Sequence, residues 1–479
     1  MTSEIEAAGA ATGHEEKPWD GKNIVICCDG TGNQVTGDLS NVLKLFRILR
    51  KDEKQRVFYD PGVGTIGMEE PWERLKAKFK AIWGLATGAG LDDNILDAYR
   101  FLAENYEEGD RVFLFGFSRG AYTVRALAAF IHMVGLLRPD QVNIADYALT
   151  VYKKAGWRSE EAYDHARRRG KPRPEPAMAG GGKAGERSPP PDTTSGFEAA
   201  WEFGKVAGTR HVPIHFIGVW DTVSSVVVPG ETLFSLPRLR TLPYTRVNPS
   251  VRAIRHAMAI DERRRFFRLN KWKEGQTFDV DPFSRPPKKK PQDCEQVWFA
   301  GVHSDVGGGY PEKESGLAKL PLIWMIEEAS SKKHGLRIKE EAYRHLAWGE
   351  ERPGSRYDYV PPNPCGELHN SLTWGWKPLE WPIPKSAEWR QWRRLSLLGF
   401  YWPLAEPRPV PADAKISPSV EERRRGCAYD PANLKPHRGP SPEGWLSRFS
   451  RTIILLFVNA ALIAGAIWLI ARVVRRLFF

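Results

Sequence analysis

The chain alternates short apolar runs with longer stretches in which apolar residues recur every three or four positions. Runs of strand length occupy 23–28, 56–60, 111–117, 212–220 and 296–301. A turn or a chemically loaded loop follows each one. Asp29-Gly30-Thr31-Gly32-Asn33 follows the first run and Pro61-Gly62-Val63-Gly64-Thr65 the second. Ser118 follows the third, Asp221 the fourth, and Val302-His303-Ser304-Asp305 the fifth. Helical spacing covers 91–106, with Leu91, Ile95, Ala98, Tyr99 and Leu102 on one face, and also 119–137 and 317–331. Apolar strands interleaved with helices predict an α/β fold: a mostly parallel sheet, α/β-hydrolase-like, with helices on both faces.

The pattern changes in four places. Residues 1–21 are rich in Ala, Gly and Glu and read as a disordered lead-in with no signal-peptide core. Within a globular catalytic domain at 22–341, residues 167–196 are rich in Gly, Pro and Arg and read as a disordered insertion. Residues 342–447 are rich in Trp and Pro with little periodicity, and are expected to form an irregular extension packed on the core. Residues 452–471 are apolar apart from Asn459, with Arg448 and Arg451 before them and Arg472, Arg475 and Arg476 after. A bilayer needs about 20 such residues as a helix, so a C-terminal transmembrane helix is expected. With no upstream signal, it reads as a single-pass anchor with the catalytic domain in the cytoplasm. The flanking charges do not fix the orientation.

The net charge of +12 raises the question of nucleic acid. The basic residues cluster in loops and beside the apolar tail, with no recognition module or stacking motif among them, so no nucleic-acid partner is expected. The five cysteines, Cys27, Cys28, Cys294, Cys365 and Cys427, form no C-x-x-C pair and read as free thiols suited to a reducing compartment.

The chemistry centres on Gly116-Phe117-Ser118-Arg119-Gly120, an apolar strand running through G-x-S-x-G into a helix. This is the nucleophile-elbow pattern. A serine hydroxyl needs a base, usually a histidine oriented by a carboxylate. In elbow folds the chain order is Ser, acid, His. Ser118, Asp221 and His303 follow that order, and each sits just past a strand. Asp305 and Asp261 are the alternative acids. His215 lies inside a strand and reads as a core residue. For the oxyanion, the backbone N–H of Arg119 is one expected donor, with the second from Gly30 or Thr31. Three glycines, Gly307 to Gly309, would let backbone approach a ligand. The chemistry requires no metal or cofactor.

Several motifs occur as an ordered set: Cys28-Asp29-Gly30-Thr31-Gly32-Asn33, Tyr59-Asp60-Pro61-Gly62-Val63-Gly64-Thr65 and Gly116-Phe117-Ser118-Arg119-Gly120-Ala121. Gly218-Val219-Trp220-Asp221-Thr222-Val223, Ala259-Ile260-Asp261-Glu262-Arg263 and Gly301-Val302-His303-Ser304-Asp305-Val306-Gly307-Gly308-Gly309-Tyr310 continue it. Together they resemble the catalytic domain of type VI secretion phospholipase effector-like proteins, an α/β-hydrolase family of bacteria and fungi. The resemblance implies a Ser-Asp-His site at Ser118, Asp221 and His303, and lipid or other ester substrates, glycerophospholipids foremost. The expected activity is that of a membrane-anchored serine esterase of phospholipase type. The alternative is a membrane-tethered scaffold that keeps the fold without the chemistry.

Overall fold

The computed structural model describes residues 19–30, 39–62, 90–155, 194–223, 242–264, 267–281, 288–373 and 407–434, with short pieces at 226–228, 238–240, 376, 383–384, 396–397, 400–401 and 405. Thr31, most of the insertion and the apolar segment at 452–471 lie outside them. Among the described residues, no helix is long and apolar enough to cross a membrane.

Seven described strands form one sheet: β1 (Asn23–Cys28), β2 (Gln55–Asp60), β3 (Arg111–Phe117), β4 (Ile214–Trp220), β5 (Ala253–Ala259), β6 (Asp293–Phe299) and β7 (Lys415–Ile416). The spatial order is β7-β6-β5-β4-β3-β1-β2. Every neighbouring pair is parallel. The connection reverses direction between β1 and β3. In open parallel sheets, that reversal leaves a crevice at the strands' C-terminal ends where ligands bind. The loop at Asp29 and the turn at Ser118 both open onto it.

Helices cover both faces, as a parallel sheet requires. On one face, α2 (Leu91–Asn105) and α3 (Arg119–Val134) bury Tyr99, Leu102, Val124 and Leu127 against Ile24, Ile26 and Leu114. On the other, α1 (Asn41–Ile48), α6 (Gly316–Ser330) and α7 (Glu340–Trp348) pack Val42, Leu322 and Leu346 against Val25, Phe113 and Phe115. The helix α4 (Thr194–Val206) follows the insertion, and the short α5 (His303–Gly307) follows β6. α3 stops short of the expected 137 because Gly135 leaves the helix at φ 86°.

Several described elements depart from the sequence expectation. β5 was not anticipated, although all seven of its residues are buried. Arg255 and His256 break its apolar run, and both are paired inside the fold. Arg255 reaches Asp293 at 3.0 Å and Glu328 at 2.6 Å. His256 lies 3.4 Å from Gln296. The Trp- and Pro-rich extension is also more ordered than expected. Its β7 joins the central sheet beside β6, and α8 (Pro418–Gly426) follows. Cys365 and Cys427 are joined in a disulfide with Cα atoms 5.8 Å apart, which corrects the reading of all five cysteines as free thiols. The pair is 62 residues apart in sequence, so no local spacing announces it. The cysteine count therefore gives no argument for a reducing compartment. Before β1, Trp19 donates to the Gly109 carbonyl at 2.9 Å.

The glycines of the elbow are set by close backbone packing. A Cβ on Gly120 would lie 2.0 Å from the Cys28 carbonyl oxygen and 2.6 Å from that of Asp29. A Cβ on Gly116 would meet the Gly120 carbonyl carbon at 2.5 Å. Both obstacles are backbone, so no side chain can yield. Gly120→Ala is expected to force α3 off β1 and to cost more than the ~1–3 kcal/mol of ordinary overpacking. A urea titration reads this as a lowered midpoint.

Candidate active site

The turn after β3 carries Ser118 at φ 57° and ψ −117°, outside the common regions for an L-residue. Its amide donates to the Trp220 carbonyl at 3.1 Å, which locks the turn to the end of β4. Asp221, the next residue on β4's side, also has positive φ, at 39°. Two of the five described non-glycine residues with positive φ thus sit side by side at the crevice. Strain of this kind persists only where the surroundings over-determine it.

Asp221 is fully buried and accepts four hydrogen bonds. His303 Nδ1 lies 2.5 Å from Oδ2. Arg408 reaches it with both terminal nitrogens, at 2.5 and 3.0 Å. The Ala259 amide donates at 2.9 Å. Burial alone would raise the carboxyl's pKa. The Arg408 charge and the His303 hydrogen bond outweigh it and hold the group well below the usual carboxylate range.

His303 opens α5 and is itself buried. Burial lowers its pKa below 6.5, partly offset by Asp221. The pair is therefore a carboxylate and a neutral imidazole at neutral pH. With Asp221 ionised, Nδ1 carries the proton and Nε2 keeps its lone pair. Nε2 is buried and has no hydrogen-bond partner, Ser118 included. The imidazole stands 4.6 Å from the ring of Phe117, the residue before Ser118, and 4.7 Å from the ring of Phe267, edge to face.

A second buried carboxylate holds the base from behind. Glu262 accepts the His303 amide at 3.2 Å, the Ser371 hydroxyl at 3.1 Å and two nitrogens of the Arg264 guanidinium at 2.9 and 2.8 Å. Burial opposes its ionisation, but Arg264 holds it down to about 2. Arg264 in turn stacks 3.5 Å over Phe267.

The alternative acids are engaged elsewhere. Asp305 pairs with His369 Nδ1 at 2.6 Å and caps the Val302 amide at 3.0 Å. Asp261 takes the Gly301 amide and the Tyr429 hydroxyl, each at 2.7 Å. Of the oxyanion candidates, Arg119 begins α3, so its amide is one of the helix-start donors without an intrahelical partner. The Gly30 amide instead donates to Asp29 Oδ1 at 2.7 Å. The Gly30 amide is thus already engaged in the chain without substrate. Asp29 also accepts from Ser40 and, at 2.9 Å, from Tyr59. Gly307 and Gly308 serve packing rather than ligand approach: a Cβ on the first would strike the Phe117 ring at 1.8 Å, and one on the second the Asn41 amide at 2.7 Å. His215 is buried as expected, but its Nε2 has no partner.

Sequence reasoning missed Arg408, Glu262 and Ser371. Glu262 stands beside Asp261 in a motif already singled out. Arg408 lies in the extension, far from any motif. Its one local signal is that Pro407 and Pro409 flank it and fix the backbone on either side.

The family model for the catalytic domain of T6SS Tle1-like phospholipase effectors matches residues 22–328. The chain belongs to this family. An uncharacterized protein of Saccharomyces cerevisiae is 32% identical over 256 residues, which cover 52% of this chain and 32% of the yeast protein. The Tle1-like chain thus spans about a third of that relative's length. Among solved structures, an uncharacterized protein from Pseudomonas aeruginosa aligns at 16% identity and a TM-score of 0.31, over 68% of this chain and 50% of the other. The Tle1 effector bound to the VgrG spike of the type 6 secretion system aligns at 19% and 0.28, over 65% and 57%. Similarity at these TM-scores adds nothing to the architecture above.

Two outcomes follow from the charges. In Arg408→Gln the buried Asp221 anion loses its counter-ion, which typically costs about 3–5 kcal/mol, measurable by chemical denaturation. The second concerns pH. His256, fully buried, accepts the Thr222 amide on Nε2 at 3.2 Å, and its pKa is pushed down to about 3 by burial and the nearby Arg125. His256 and His303 both titrate lower in the folded state than the usual 6.5. The unfolded chain therefore takes up protons first, and stability should fall as pH drops from 6.5 towards their folded values. Asp221 opposes nothing in that window, because its contribution is essentially complete above 3.8 and declines only as pH falls from there towards its folded value. Denaturation midpoints measured from pH 7 to 4 should decline throughout.

Proposed function

We propose that this chain is a serine hydrolase of lipid esters, of phospholipase type. The observation that carries the reading is His303: its Nδ1 is bound to a buried ionised Asp221 while its Nε2 is left as a free, uncharged base beside the strained turn of Ser118. The family's description as phospholipase effectors supports the substrate class.

In this mechanism the Ser118 hydroxyl turns onto Nε2, gives up its proton there and bonds to the ester carbonyl carbon. Hydrogen bonds of this kind are often open in free enzymes and close with substrate. The oxyanion is held by the Arg119 amide with a second donor from the loop after β1, where Thr31 is the remaining candidate. Collapse breaks the C–O bond, and the imidazolium returns its proton to the leaving alcohol. Water then releases the acyl group by the same route. Asp221 stabilises the imidazolium, and Arg408 keeps Asp221 ionised. The apolar segment at 452–471 would place this chemistry at a bilayer, where the substrate resides.

The missing hydrogen bond between Ser118 and His303 Nε2 favours the rival reading of a silent scaffold on the same fold. A fluorophosphonate probe separates the two. Labelling of wild type at Ser118, lost in Ser118→Ala, is expected, with phospholipid hydrolysis falling at least about a thousandfold in that variant. Hydrolysis that survives undiminished in Ser118→Ala defeats the mechanism, and an unlabelled, inactive wild type supports the scaffold. An acid limb in kcat/KM with an apparent pKa below the ordinary histidine value is expected alongside.

A further inference from the structure

We propose that Glu314, Glu367 and His369 form a site for a divalent transition metal of the zinc class, separate from the hydrolytic chemistry. One ligand atom from each of the three lies within 4.8 Å of the other two. The inference does not depend on the chain being a hydrolase.

The imidazole is set up as a ligand. His369 Nδ1 lies 2.6 Å from Oδ1 of Asp305, which is almost fully buried and also accepts the His369 amide at 3.3 Å. A carboxylate there orients the ring through Nδ1 and turns Nε2 towards the other two residues. Metal-bound histidines nearly always make this contact through their other nitrogen. The Tyr310 ring stacks on the imidazole with an interplanar angle of 12° and holds its plane.

Nε2 pairs with Glu314 Oε2 at 3.4 Å, a proton-mediated contact that a metal ion would replace, with the Glu367 carboxylate beside both. An imidazole nitrogen and two carboxylates thus converge on one point. Lys313, whose side chain is 81% exposed, lies 3.6 Å from the other Glu314 oxygen. A separation of 3.4 Å suits two corners of a tetrahedron with ligand bonds of about 2.0–2.1 Å. Glu367 is exposed and can swing in to close the third corner, leaving the fourth for water. A nitrogen with two oxygens suits zinc and its neighbours rather than calcium or magnesium, which prefer oxygen alone.

The two sides of the site are held in register without the ion. Asn363 donates to the Gly316 carbonyl at 3.0 Å, Arg423 donates to the carbonyls of Pro364 and Gly366, and Cys365 is tied to Cys427. A metal would join the turn at Glu312–Glu314 to the segment that carries Ser371, the residue bonded to Glu262 behind His303.

The test uses the full purified chain, stripped with a chelator, then titrated with Zn²⁺ by calorimetry and melted with and without the ion. One ion per chain and a raised Tm are expected, and Co²⁺ in its place should give visible d–d bands of a low-coordinate site. Glu367→Gln and Glu314→Gln should each abolish the tight phase. Asp305→Asn should weaken it about 10–100-fold. Glu367 is exposed, so its variant folds even if the others do not. Failure of the wild type to bind Zn²⁺, or tight binding that persists in Glu367→Gln, overturns the assignment. Neither result bears on whether Ser118 reacts with a fluorophosphonate.

Discussion

A carboxylate with no access to water must be compensated in full, and Asp221 is such a group. Leaving an ion of this kind unpaired in a protein interior costs several kcal/mol. The compensation comes from across the chain: the amide of Ala259 at the end of β5, the imidazole of His303 after β6, and the guanidinium of Arg408 in the C-terminal extension. Ala259 and His303 meet Asp221 because β4, β5 and β6 are neighbours ending at one edge of the sheet, and Arg408 reaches that edge from the segment before β7. The demand of one buried anion thereby fixes the base's position, its tautomer and its charge.

Much of this was legible beforehand because its signals are local. A strand, a pair of glycines around a serine and a helix lie within a few residues, and steric exclusion at Gly116 and Gly120 explains why both must be glycine. The order of Ser118, Asp221 and His303 was likewise visible, since each follows an apolar run. What stayed hidden depends on distant partners. The strand β5 was masked by Arg255 and His256, whose polarity is answered by Asp293, Glu328 and Gln296. The helix α1 was masked by a buried Lys44, which shares Glu312 with an equally buried Lys319. Arg408 and the Cys365–Cys427 bond could not be read from spacing, because only the folded chain brings those residues to their partners.

The loop after β1 shows how local hydrogen bonding can occupy an amide that a glycine exposes. Glycines there suggested exposed amides ready for an oxyanion. Asp29, however, folds its carboxylate back onto the Gly30 amide and is itself held by Ser40 and Tyr59. An acceptor immediately before a glycine competes for the donor that the glycine exposes. The triple glycine after α5 carries the same lesson, since its openness is used to seat Phe117 and α1.

The family match ends at residue 328, whereas Arg408 lies beyond it. The homologous unit and the electrostatically self-sufficient unit therefore have different boundaries. A fragment cut at the homology limit would keep the serine, the imidazole and the carboxylate, yet strand the carboxylate without its cation. The C-terminal region, whatever its lineage, is electrostatically part of the unit that holds Asp221.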